Sequence, residues 1–103
     1  MVFDIEPGEG QGRLRLIGEL DLATYESLLE AARGQMGGPD GLTLDMSGLT
    51  FMDSKGLRAI LILHRELGGR PIRLVAPSRT VLRVLEVSGV IHLEGLEITE
   101  REP

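Results

Sequence analysis

A chain of 103 residues, 42% apolar and 26% charged, has the balance of one folded, soluble domain with a single core, taken as residues 1–103. Its net charge of −5, its lack of Trp and the thinness of its basic pairs, Arg13 with Arg15 and Arg70 with Arg73, weigh against nucleic acid as a partner. The absence of cysteine excludes disulfides, thiolate metal sites and thiol nucleophiles, and suits a reducing compartment such as the cytoplasm. The start MVFDIEPG has no basic region followed by an apolar run, and no segment approaches the length of a membrane span.

Residues 2–6 alternate, with Phe3 and Ile5 on one side and Asp4 and Glu6 on the other, and PGEGQG then supplies a turn. Residues 13–17 alternate again, so the first two strands are expected to pair antiparallel at one edge of a sheet. After GELD the period changes: Tyr25, Leu28, Leu29, Ala32 and Met36 fall at helical spacing, with Glu26 early and Arg33 late, as the helix dipole favours. Gly34 ends that helix. Residues 42–46 form a third strand, and Leu57, Ile60, Leu61, His64 and Leu67 a second helix that GGRP closes. Residues 72–76 are a fourth strand, Pro77 and Ser78 open a third helix that Gly89 ends, and residues 91–93 are expected as the last strand. The tail from Glu94 alternates weakly, as an edge extension or a frayed end. The order predicts an α/β domain whose mixed sheet has an N-terminal antiparallel hairpin followed by parallel strands and crossover helices.

Parallel strands point their carboxyl ends to one edge, where open α/β sheets carry their sites. Three stretches are expected to meet there: ELDLAT with Asp21 and Thr24, FMDSKG with Asp53, Ser54, Lys55 and Gly56, and APSRT with Ser78 and Arg79. Asp53 or Ser54 caps the second helix. Gly56 has no use in a cap and costs about 1 kcal/mol inside a helix; its missing side chain would let another molecule approach Ser54. Capping alone accounts for Asp and Ser here. The alternative is that Ser54 accepts phosphate, since a helix N-terminus favours an anion, and Lys55 would offset part of the added charge.

These segments resemble the STAS domains, and within them the small bacterial anti-sigma factor antagonists. GELDLAT resembles the family's Gly-Glu-Leu-Asp-x-x-Thr segment, LTLDMSGLTFMDSKGL its Asp-x-Ser followed by Phe-x-Asp-Ser-x-Gly-Leu, and RVLEVSGVIHL its closing helix and strand. The resemblance implies that Ser54 is phosphorylated by a cognate anti-sigma factor, a serine kinase using ATP, and that a metal-dependent serine phosphatase reverses it. The unphosphorylated form would bind the anti-sigma factor and release the sigma factor, regulating transcription. Asp21, Thr24, Asp53, Lys55, Gly56, Ser78 and Arg79 would join Ser54 in contacting the partner. Lys55 and Tyr25 depart from the small residues common at those positions in the family.

Other readings have less support. Ser54 and His64 are ten positions apart on one helix and cannot act as nucleophile and base. His92 lacks neighbours at ligand spacing, so neither a metal nor another cofactor is expected, and no enzyme activity. PGEGQG precedes a strand instead of opening a helix, unlike a phosphate loop. A STAS scaffold or transporter-associated subunit without a switch is the alternative, which the intact Asp-Ser-x-Gly-Leu segment disfavours. The expected state is a monomer or a weak dimer paired through the tail.

Overall fold

Alternating apolar and charged residues at the N-terminus produce a hairpin: β1 (Phe3–Pro7) pairs antiparallel with β2 (Arg13–Leu20), Ile5 opposite Leu16. The turn is closed by Gly8 N donating to Arg13 O at 2.8 Å. In this computed structural model, which describes residues 2–100, β3 (Leu42–Met52), β4 (Ile72–Val75) and β5 (Leu96–Thr99) add in parallel, giving the order β1-β2-β3-β4-β5. The helices α1 (Tyr25–Arg33), α2 (Ser54–Glu66) and α3 (Arg79–Ser88) connect them. The expected α/β class and mixed sheet are therefore present.

Each crossover steps to the next strand in the same direction, so right-handed connections place all three helices on one face. On that face Leu14, Leu16, Leu44 and Leu74 share a buried cluster with Leu28 of α1, Ile60 and Leu63 of α2, and Val81 and Leu85 of α3. The other face carries charge: the register sets Glu6 beside Arg15 and Arg15 beside Asp45, and Arg73 beside Glu97. Arg15–Glu6 at 3.9 Å and Arg73–Glu97 at 3.4 Å are exposed pairs worth ~0–1 kcal/mol each. Their larger consequence is a solvated sheet face.

Three boundaries differ from the sequence reading. β2 runs past Ile17 because Gly18 is a close approach, not a stop: its φ is +100°, and a Cβ there would lie 2.1 Å from Val2 O. β3 runs on to Met52 instead of ending at Met46. Two irregularities hide this, since Arg15↔Asp45 is followed by Ile17↔Gly48, and Gly18↔Leu49 by Glu19↔Phe51. Each inserts one extra residue in β3 and shifts the faces, so Met46, Leu49 and Met52 are buried at every third position and the period of two disappears. Asp45 Oδ1 ties the first irregularity by accepting from Ser47 N at 2.9 Å. The last strand is not 91–93. Val90–His92 form a 3-10 turn after Gly89 (φ +80°), with His92 N and Leu93 N donating back to Gly89 O and Val90 O. Their amides are thus used locally, and the ladder forms from the tail, Leu96–Thr99.

At the opposite end of the helices from the shared sheet edge, Arg33 grips Glu66 with both arms, Nε to Oε1 at 2.9 Å and a terminal nitrogen to Oε2 at 2.7 Å. The hydrogen bond from Arg33 holds the Glu66 carboxyl below its usual range. A depressed carboxylate stabilises above its unfolded pKa, about 4.3, and that contribution is lost as pH falls through the lower folded value. Glu66→Gln is therefore expected to lower the urea midpoint slightly near neutral pH. The deficit against wild type should shrink as titrations are repeated at successively lower pH; a deficit independent of pH would mean that the pair's charge is not its source.

Candidate functional site

The edge at which β2 and β3 end is locked by Asp53 N donating to Leu20 O at 3.2 Å. Asp53 then has extended backbone, and its Oδ1 accepts from Lys55 N at 2.9 Å and Gly56 N at 3.2 Å. Asp53, not Ser54, is the cap of α2. This frees Ser54: it is the first residue of α2, exposed, and its Oγ makes no hydrogen bond among the described residues. Asp53→Ala removes the acceptor for two amides and is expected to cost about 1 kcal/mol, seen as a lower urea midpoint with an unchanged slope. A midpoint equal to wild type would show that water satisfies those amides equally well.

Asp21 and Thr24 lie inward. Asp21 is 6% exposed, and its Oδ1 accepts from Ala23 N at 2.9 Å. Thr24 Oγ1 accepts from Asp21 N at 2.9 Å and donates to Glu19 O at 2.8 Å. The pair fixes the loop between β2 and α1, with Asp21 Oδ1 turned to that loop while the residue still lines a hollow at the edge. What stands out is Leu22, 66% exposed, and Phe51, 41% exposed, around a hollow of about 670 Å³ that Glu19 and Asp53 also line. Sequence reasoning missed both, because the irregularities of β3 concealed which way Phe51 faces. Two large apolar side chains in water beside a polar loop were the available signal.

The reason for a glycine at position 56 differs from the one expected. It is buried, and a Cβ there would lie 2.7 Å from both Leu20 Cγ and Leu20 O and 2.9 Å from Met52 Cγ. The glycine lets α2 sit against the ends of β2 and β3; it does not open a path for another molecule. Lys55 lines a different hollow, with Tyr25, Glu26, Glu30 and Arg58 between α1 and α2.

Ser78 caps α3, its Oγ accepting from Val81 N at 3.3 Å. Two positions earlier Ala76 has φ +54°, a left-handed conformation uncommon for alanine, in the loop that delivers Ser78 and Arg79. Arg79 is exposed and lines, with Asp53, Ser54, Leu57, Arg83 and Val87, a hollow of about 780 Å³. The structure thus gathers Asp53, Ser54 and Arg79 about one depression and Asp21 with Asp53 about a second, while Lys55 faces a third. Neither α2 nor α3 has an acidic residue in its first turn.

His64 Nε2 lies 2.7 Å from Glu94 O and so ties α2 to the segment before β5. Among the described residues no group of three or more His, Asp or Glu side chains could hold a metal ion, and no helix is long and apolar enough to cross a membrane.

The STAS domain family model matches residues 4–102. Over 83 residues, 75% of this chain and 69% of the relative, the sequence is 39% identical to the anti-sigma F factor antagonist of Lysinibacillus sphaericus. The fold is similar to that of an anti-sigma factor antagonist from Mycobacterium paratuberculosis, with a TM-score of 0.75 at 22% identity over 93% of this chain and 84% of that one. It is also similar to the anti-sigma factor antagonist SpoIIAA in its unphosphorylated form, with a TM-score of 0.62 at 24% identity over 94% of this chain and 86% of the other. The chain belongs to the STAS domain family, among its anti-sigma factor antagonists.

Proposed function

We propose that this protein is a cytoplasmic anti-sigma factor antagonist switched at Ser54. Unphosphorylated, it docks on an anti-sigma factor that is also a serine kinase, which then lets go of its sigma factor; phosphorylated, it is released, and a serine phosphatase resets it. The observation that carries this reading is the exposed Ser54, its Oγ unpaired among the described residues, on a helix start whose cap is supplied by the neighbouring Asp53. The similarity to a relative whose structure is distinguished as the unphosphorylated form supports a phosphorylated counterpart.

The chemistry asks little of this chain. Ser54 Oγ attacks the γ-phosphorus of ATP held by the partner; the Oγ–P bond forms, the bond from that phosphorus to the β,γ-bridging oxygen breaks, ADP leaves, and the hydroxyl proton passes to a base of the partner. Asp53 serves the helix instead, its Oδ1 accepting from two amides. Its part, with Gly56 and the Leu20 carbonyl, is to hold the hydroxyl in place. Leu22, Phe51, Leu57 and Val87, on either side of Ser54, supply apolar surface for docking.

Incubation with the cognate anti-sigma kinase and ATP, followed by mass-spectrometric mapping, is expected to show one phosphate, on Ser54, and none on the Ser54→Ala variant. Phosphate placed elsewhere, or full modification of Ser54→Ala, would remove Ser54 from its role.

A further inference from the structure

Several arginines are held by partners within the protein. Arg15, Arg33 and Arg73 are in ion pairs, and Arg70 donates to the carbonyls of Leu67, Met36 and Gly38. Arg79 and Arg83, like Lys55 and Arg58, make no ion pair or side-chain hydrogen bond within the described residues, although the chain carries a net charge of −5. They are one helical turn apart on α3, so they project from one stripe of it, and both line the hollow that Ser54 lines from α2. Asp53 and Glu86 are the acids on that hollow; Asp53 is already turned to the amides of Lys55 and Gly56, and Glu86 lies one turn further along α3. The wall between is apolar, made by Leu57, Val84 and Val87, the last of them 79% exposed.

We propose that a phosphate on Ser54 is received within the chain by Arg79, with Arg83 as second cation, drawing both side chains across the hollow between α2 and α3 and covering its apolar wall. This inference rests on the reading above that Ser54 is the modified residue. Phosphate offers three strong acceptor oxygens, and a guanidinium meets them with a planar fork that can donate two parallel hydrogen bonds. The aliphatic stems of the arginines lie flat on apolar surface while their heads reach the anion. Phosphorylation then acts twice on a docked partner: it adds negative charge at Ser54, and it hides Leu57, Val84 and Val87. Lys55 takes no part, because it lines the hollow on the other side of α2.

The test uses the full chain with phosphoserine incorporated at position 54 during synthesis, in the wild-type background and with Arg79→Gln alone, Arg79→Gln with Arg83→Gln, and Arg65→Gln as a control for net charge. The second phosphate ionisation is followed by phosphorus NMR across pH. It is expected below the ordinary value near 6 by about half a unit or more in the wild-type background, to move back up in Arg79→Gln, and to move further in the double variant. Thermal melting should show that phosphate raises the melting temperature of the wild-type background more than that of the double variant. If the arginine variants shift the ionisation no more than Arg65→Gln does, the phosphate is not received by α3 and the proposal fails. No kinase is needed for this measurement, so a failure to modify Ser54 in the mapping experiment would defeat the functional reading and leave this result standing on its own.

Discussion

Ser54→Asp is expected to bind the cognate anti-sigma kinase about 100-fold more weakly than wild type, a loss of roughly 2.8 kcal/mol, while Ser54→Ala binds within about twofold. The asymmetry follows from what the hydroxyl does before modification. Ser54 Oγ has no partner among the described residues, so its removal breaks no hydrogen bond there and leaves docking surface intact. A carboxylate in the same place must be stripped of water as the partner closes over it, with Asp53 its sequence neighbour; it is shorter and carries less charge than a phosphate, so Arg79 and Arg83 across the hollow compensate it less well. Burying a poorly compensated charge costs several kcal/mol where burying a methyl costs none. Titration calorimetry with the purified kinase separates the two variants; equal affinities would mean that charge at this position does not govern docking.

Gly56→Ala is expected to destabilise the fold, although alanine is the better helix former. Helix preference favours alanine by about 1 kcal/mol. Against this, the new methyl would lie 2.7 Å from Leu20 O, a backbone atom of β2, as well as 2.7 Å from Leu20 Cγ and 2.9 Å from Met52 Cγ. Overpacking of this kind costs ~1–3 kcal/mol, and a carbonyl that also accepts from Asp53 N cannot retreat without loosening the start of α2. With a backbone atom among the clashes the upper part of that range applies, about 2–3 kcal/mol, so after the helix gain the net loss is expected at about 1–2 kcal/mol, or a fall of roughly 4–16 °C in melting temperature for a domain of this size. Gly56→Val should be worse. A Gly56→Ala protein that melts higher than wild type would show that the strand end yields freely and that helix preference decides.

The same residues show how far the sequence could be read. Helices α1, α2 and α3 were legible because an amphipathic face repeats every three or four residues and because Asp53, Ser78 and Gly89 mark ends by ordinary capping chemistry. The hairpin and the parallel order followed from alternation and from connections long enough to cross over. What failed was any inference that needed the period of two to persist. The extra residues in β3 moved Met46, Leu49 and Met52 onto a spacing of three, and the apolar run at Ile91–Leu93 looked like a strand while its amides bonded back to Gly89 and Val90. At the site, the residue types were legible and their directions were not. Nothing in the spacing of Asp21 says that its carboxylate turns back to Ala23 N, and nothing in Gly56 says whether an empty Cβ position faces solvent or Leu20. Only the tertiary contact decides.

The most direct measurement of the switch is the affinity of the cognate anti-sigma kinase for this protein before and after stoichiometric phosphorylation at Ser54, read in one titration series, with a final sample returned to the hydroxyl form by phosphatase. Tight binding of the first and last samples and at least about 100-fold weaker binding of the phosphorylated one is the expected result. Indistinguishable affinities for all three would contradict it.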